Sequence, residues 1–309
     1  MKQQTILVIG ATGAQGGSVA KELLTQKKFA VRILTRNPTS DNALALIQQG
    51  AAVVKGNLDD KESLKEAMKD CYGVFGVTNF WEHYQNEYQQ GKNLVDAVKE
   101  SNIEHFVFHT LPSYFELSKG KYPVPHCDQK AALQEYAKSV GVKATFLRVA
   151  FYYENFFTFF VLQPAADGSY FFGFPQGDTP LAMISVEDVG GIVATIFDHP
   201  ADYIGRTVGG VACNDTCDAY ASIMSKALGK KIRYQYIPRD QYAAFDFPGA
   251  VEIANMFEVQ RLHTPQQLVQ INMIESYGLN PGMQGFEQWV KKNRHRFITS
   301  TQTTEKLSA

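Results

Sequence analysis

The chain has 309 residues, of which 45% are hydrophobic and 20% charged, with a formal net charge of −1. That length exceeds what one compact core usually holds, and the composition is that of a soluble globular protein. A balance so near zero gives no electrostatic reason to expect nucleic acid or an acidic membrane as a direct partner, and no run of about 18 apolar residues is present to span a bilayer.

Only Met1 to Thr5 precede the first apolar run, so no signal peptide is expected. The natural setting is cytoplasmic, or nuclear as well, with Cys71, Cys127, Cys213 and Cys217 as free thiols. Cys213 and Cys217 have no second cysteine pair nearby, and no metal site is expected.

In chain order, Ile6 to Ile9 is an apolar run suited to a strand buried on both faces. It enters the turn Gly10-Ala11-Thr12-Gly13-Ala14-Gln15-Gly16-Gly17, and an amphipathic stretch follows. Gly10 permits a tight turn, Gly13 permits the backbone to approach a pyrophosphate, and Gly16 permits a helix to pack close to the strand. The unpaired N–H groups at the start of that helix suit a dinucleotide phosphate.

Strands are expected at 6–9, 30–35, 51–55, 72–78, 104–110 and 143–149. Helices are expected near 17–27, 40–49, 60–70, 85–101 and 127–140. This alternation implies an α/β fold with a doubly wound parallel sheet over residues 1–150. A smaller α+β lobe is expected over 151–298, with segments near 182–212 able to pack back on the first domain. Its elements are a helix capped at Ser185 and running to Phe197, a strand at 232–237, and helices near 216–228, 250–262 and 285–296. The aromatic stretch from Phe151 to Phe172 reads mainly as core and inter-lobe packing, with some rings walling a cleft. Residues 299–309 form a polar tail.

The second strand refines the ligand. A site for NAD usually places an acid at its end to hold the ribose 2′-OH. Here Arg36 stands there, followed by Asn37, Pro38, Thr39 and Ser40. A guanidinium pairs with a phosphate through two parallel bonds, which favours NADP. Thr78, Asn79 and Phe80 end the fourth strand, at the switch point of such a sheet.

Further motifs follow in order: Gly56-Asn57-Leu58-Asp59-Asp60, Thr78-Asn79-Phe80-Trp81-Glu82, His126-Cys127-Asp128-Gln129-Lys130 and Tyr153-Glu154-Asn155-Phe156. With these the chain resembles the NmrA-like family, atypical members of the short-chain dehydrogenase/reductase superfamily. The resemblance implies a Rossmann domain carrying NADP(H) and a smaller C-terminal lobe. It implies that residues 10–16 and 36–40 hold the phosphates. Asn57 and Leu58 would cover the adenine, Thr78 to Phe80 would flank the ribose and nicotinamide, and Tyr152, Tyr153, Glu154 and Asn155 would close over the nicotinamide.

Active members of the superfamily place a Tyr four residues before the ribose-binding Lys, on one helix face. Here that Lys is Lys130 and position 126 is His, so the catalytic dyad is half missing. Lys130 can still hold the ribose, and His126 is the candidate for proton transfer. Thr110 and Ser113 are candidate hydroxyls for polarising a carbonyl. Well-studied family members are regarded as sensors of NADPH/NADP⁺ balance that bind other proteins, while relatives reduce quinones or phenylpropanoids. The leading expectation is therefore an NADPH sensor with little turnover and a regulatory protein partner. The alternative is an NADPH-dependent oxidoreductase acting on a quinone or related carbonyl through Lys130 or His126. Nothing in the sequence sets the oligomeric state.

Overall fold

A computed structural model describes residues 3–263 and 272–297; the tail expected at 299–309 lies outside them. Six apolar runs form β1 (Thr5–Val8), β2 (Ala30–Thr35), β3 (Ala52–Lys55), β4 (Gly73–Gly76), β5 (His105–Thr110) and β6 (Ala144–Val149). With Thr207–Gly210 they make one sheet in the order Thr207–Gly210, β6, β5, β4, β1, β2, β3. Every pairing is parallel. β4 and β5 are buried along their whole length, which explains their near-continuous apolar character.

The crossover helices include α1 (Ala14–Gln26), α2 (Asp41–Gln48), α3 (Lys61–Met68), the short α4 (Phe80–His83), α5 (Glu87–Glu100), the short α6 (Tyr114–Leu117) and α7 (Pro125–Ser139). α3, α5 and α7 bury Leu64, Leu94 and Leu133 on one face of the sheet. α1 and the helix Val189–Asp198 bury Val19, Leu23, Ile192 and Ile196 on the other. The sheet is thus doubly wound, and the chain reverses direction of travel between β1 and β4. The crevice at that switch point is where such folds take ligands.

Of the boundaries that differ from the sequence expectation, three bear on the site. α1 starts at Ala14 rather than 17, because the helix begins directly at Gly13. β4 ends at Gly76 rather than 78, so Val77, Thr78 and Asn79 leave the sheet. α7 starts at Pro125, whose fixed φ suits a first helical position, and this puts His126 and Lys130 on one helix.

Beyond residue 150, helices Cys217–Leu228, Ala250–His263 and Phe286–Lys292 and strand Ile232–Tyr236 fall near the expected positions. Nothing in the sequence pattern announces Tyr170–Phe174, Leu181–Ile184 or Thr207–Gly210. The last carries two glycines and is a strand only because β6 offers it an edge. Helix Val189–Asp198 meets α1 closely. A Cβ at Gly190 would lie 2.5 Å from Ser18 O, and Ser18 Oγ accepts a bond from Gly190 N while donating to Glu187 O.

Asp188, at the head of that helix, is buried and accepts a bond from Gln284 N at 2.9 Å. Burial pushes its carboxyl from the usual 3.8 up to about 6. Folding therefore favours the neutral acid. Stability is greatest below the unfolded value and is lost as pH rises from about 4 through 6. Asp188→Asn keeps the acceptor and removes the charge. It should match the wild type at pH 4 and exceed it at pH 7 by up to roughly 3 kcal/mol. Denaturant melts at the two pH values check this; equal stabilities at both would contradict it.

Candidate functional site

A cleft of about 740 Å³ follows the carboxyl edge of the sheet across the switch point. Its floor at one end is the glycine turn. Gly10 has φ +69°, a left-handed value that a side chain rarely adopts, and a Cβ there would meet Val77 Cγ1 at 2.8 Å. Gly16 is a packing glycine: its Cβ would lie 2.4 Å from Gly10 O. Gly13 is different. It has ordinary extended backbone, and the nearest atom to its Cβ is Gly10 O at 3.4 Å. A side chain on Gly13 fits the protein but enters the cleft. No side chain caps α1, so the first-turn N–H groups are left for a ligand. Gly10, Thr12, Gly13, Ala14, Gln15 and Gly16 line the cleft, whereas Ala11 is buried in the core.

The loop after β2 contributes Arg36, Asn37 and Ser40. Pro38 and Thr39 do not line the cleft. Thr39 donates through N and Oγ1 to Asn37 Oδ1, and Ser40 Oγ caps α2, so these residues shape the turn that presents Arg36. Arg36 Nη2 reaches Glu82 Oε1 at 2.5 Å across the cleft, and this guanidinium holds the Glu82 carboxyl below its usual range. Asn57 and Leu58 line the next stretch of wall. Asn57 Oδ1 is spent on Asp59 N and Asp60 N, which leaves its NH₂ group as the donor.

Beneath the far end lies a buried polar knot. Glu87 is fully buried and forms an ion pair with Lys130 Nζ, while Thr78 Oγ1 donates to the same carboxylate oxygen at 2.7 Å. Thr110 Oγ1 donates to Lys130 O at 2.9 Å. The hydroxyl of Thr110 therefore fixes α7. That of Ser113 caps α6 and meets Asp128. Neither residue lines the cleft, in contrast to their candidacy for polarising a carbonyl.

Asn79, Phe80, Trp81, Lys130 and His126 complete this end, together with His109 and Tyr152. His109 is held neutral: burial, then the Lys130 charge, lowers it to about 3. Four buried polar atoms of cleft residues have no partner among the described residues, namely Gln15 Nε2, Gln90 Oε1, His109 Nδ1 and Tyr152 OH. These atoms offer hydrogen-bonding capacity at the cleft wall that a polar ligand or an ordered water can take up. Together with the open space at Gly13, they fit a nicotinamide dinucleotide.

A second cavity of about 190 Å³ shares His109, Leu111, His126 and Tyr152 with the cleft. Its other walls include Tyr114, Phe151, Asn155, Ala182 and Met256. Asn155 thus reaches this chamber rather than the main cleft. Tyr153 and Glu154 turn away from both. Tyr153 is buried against Phe286 and Trp289, and Glu154 accepts bonds from Ser185 Oγ, Val186 N and Trp289 Nε1. Of the aromatic stretch, Tyr152 alone walls the cleft, with Phe151 joining it in the second chamber.

A model of the NmrA-like family matches residues 2–290. The chain is 31% identical over 273 residues to the NmrA-like family domain-containing oxidoreductase FrzB of a Cladobotryum species, with 81% of each chain covered. In fold it resembles a crystal structure of NmrA, a negative transcriptional regulator, in complex with NADP. That match has 20% identity and a TM-score of 0.81, and covers 98% of both chains. It also resembles the NADPH-dependent quinone oxidoreductase QOR2 of Escherichia coli complexed with NADPH, at 19% identity and a TM-score of 0.74 over 93% of this chain and 99% of that one.

The glycine geometry separates packing from ligand space. Gly16→Ala should cost about 1–3 kcal/mol through backbone overpacking. Gly13→Ala should cost less than about 1 kcal/mol, the scale of a helix-cap change. Thermal melts of the two variants without ligand test the distinction; equal losses would contradict it.

Proposed function

Because the chain belongs to the NmrA-like family, we propose that it is an NADP(H)-dependent oxidoreductase whose acceptor is small, planar and largely apolar, of the quinone type. The observation that carries this reading is the second cavity. It opens at the end of the cleft opposite the phosphate cradle, between His109, Leu111, His126 and Tyr152. That is where a hydride acceptor would sit beside a nicotinamide bound with its phosphates at the glycine turn.

The glycine turn and the head of α1 would hold the pyrophosphate, and Arg36 the 2′-phosphate. Lys130, fixed by Glu87, would hold the nicotinamide ribose. Bound NADPH supplies a hydride. The chain supplies orientation and a chamber with largely apolar walls. With no Tyr at position 126, simple carbonyls lack the phenolic general acid of the superfamily, a group worth roughly 10² to 10⁴ in rate. A quinone depends on it less, because its reduced oxygens are weaker bases.

One observation favours sensing as a second reading. The Arg36–Glu82 pair joins the phosphate-binding loop to α4 across the cleft. A 2′-phosphate taking Arg36 would release the Glu82 side chain, so that cofactor occupancy is reported at the surface.

Two predictions follow from these contacts. An exposed ion pair is worth up to about 1 kcal/mol, less than a bidentate guanidinium–phosphate pair. NADPH should therefore bind at least about tenfold tighter than NADH, equivalent to about 1.4 kcal/mol. Arg36→Asp should erase the preference, and Glu82→Gln should strengthen NADPH binding up to about fivefold. Calorimetry checks this, and equal affinity for the two cofactors in the wild type would contradict it.

The wild type should oxidise NADPH with para-benzoquinone or naphthoquinone, and at least about a hundredfold more slowly with simple aldehydes. Ala182→Phe, which fills the second cavity, should abolish quinone turnover without weakening NADPH binding. No turnover with any quinone would leave the sensor reading in its place.

A further inference from the structure

His126 is held in a manner that its place in the motif does not explain. Glu252, on the helix Ala250–His263, directs one carboxylate oxygen at both the backbone and the ring of His126. Glu252 Oε1 accepts from His126 N at 2.8 Å and lies 2.6 Å from Nδ1. The two side chains are only 12% and 13% exposed. A carboxylate acts here only as an acceptor, so Nδ1 carries the proton. Nε2 is then the ring nitrogen left to meet a ligand. The ring is wedged beside Phe80 and Trp81, at centroid distances of 5.9 and 5.3 Å, and it borders both cavities.

We propose that Glu252 is the positioning residue of a catalytic His126, and that the pair replaces the absent tyrosine as proton source. This rests on the oxidoreductase reading. A carboxylate at Nδ1 orients the imidazole so that Nε2 meets the acceptor, and the proton transferred is the one Nε2 carries when both ring nitrogens are protonated. The acceptor then gains a hydride from the bound cofactor at one end of its conjugated system and a proton from Nε2 at oxygen. The Nε2–H bond breaks and an O–H bond forms. The acceptor is reduced by two electrons, the cofactor is oxidised by two, and water returns the proton to the imidazole. Lys130 does not compete for this role, because its ammonium is engaged by Glu87. His109 does not either, because it is neutral. The dyad is assembled from two halves of the chain, with His126 on the nucleotide-binding side and Glu252 beyond residue 150. A proton donor thus forms only where both walls of the substrate chamber meet.

Glu252→Gln keeps an acceptor at Nδ1 and removes the charge, and His126→Gln removes the donor. With NADPH and para-benzoquinone, Glu252→Gln should lower kcat about threefold and His126→Gln at least about tenfold, short of the full general-acid contribution because a quinone depends on it less. KM for the quinone and the dissociation constant for NADPH should stay within about twofold, and the double variant should be no slower than His126→Gln. Nitrogen-15 NMR of the cofactor-free wild type should show neutral His126 protonated at Nδ1, a signature that a purely structural carboxylate contact at the backbone would not produce. An active wild type with unchanged kcat in Glu252→Gln would overturn the positioning role alone. So would a ring protonated only at Nε2. A wild type without quinone turnover would defeat the oxidoreductase reading and this proposal with it.

Discussion

The site depends first on the buried ion pair between Glu87 and Lys130. Neither charge is tenable alone at that depth, and removing one partner of such a pair typically costs about 3–5 kcal/mol. The pair bolts α5 to α7 beneath the ends of β4 and β5, with Thr78 donating to the same carboxylate oxygen and Thr110 to the Lys130 backbone carbonyl. Because Thr78 and Glu87 are bonded to each other, the chain between them is forced into a closed excursion. That excursion is α4 and its following turn, which carry Phe80, Trp81 and Glu82 over the cleft. Lys130 is fixed at the floor, and His126 sits one helical turn upstream at the rim. One electrostatic constraint therefore sets the floor, the overhang and the rim.

The second constraint is aromatic packing in the C-terminal half. Phe257 stacks on Phe174 with centroids 4.2 Å apart and planes within 9°, and Phe151 and Phe160 close on the same pair. This cluster sets the helix Ala250–His263, which brings Met256 to the second cavity and Glu252 to His126. Phe151 and Tyr152, pairing with Met183 and Ile184, form the opposite wall. The chamber is thus a product of both halves of the chain. Rigid aromatic walls give it shape, and a small number of polar groups give it chemistry.

What was legible in the sequence was what is local. The six strands to Val149, the glycine turn and Arg36 after β2 are each declared by neighbouring residues, through apolar runs, backbone freedom or a missing acid. The chemistry that sequence reasoning missed is long-range. Glu87 reads as an ordinary acid in the first turn of an amphipathic helix, and only the fold puts Lys130 against it. His109 reads as part of a strand, and Gln90 as a polar helix residue. Glu252 carries no motif at all. Thr110, Ser113, Tyr153 and Glu154 show the converse: each stands beside a site motif, yet its polar group is spent on holding the scaffold. The motifs mark segments that reach the cleft, but burial and bonding partners decide which of their side chains line it.

The central claim is that the cleft holds a nicotinamide dinucleotide with its reactive end facing the second cavity. A crystal structure with NADP⁺ and a hydroquinone soaked together tests it most directly. The account predicts pyrophosphate at the glycine turn, Lys130 on the ribose hydroxyls, the nicotinamide between His109 and Tyr152, and the hydroquinone oxygen within hydrogen-bond distance of His126 Nε2. A nicotinamide turned out to solvent, or a second cavity that stays closed to the hydroquinone with NADP⁺ bound, would contradict it.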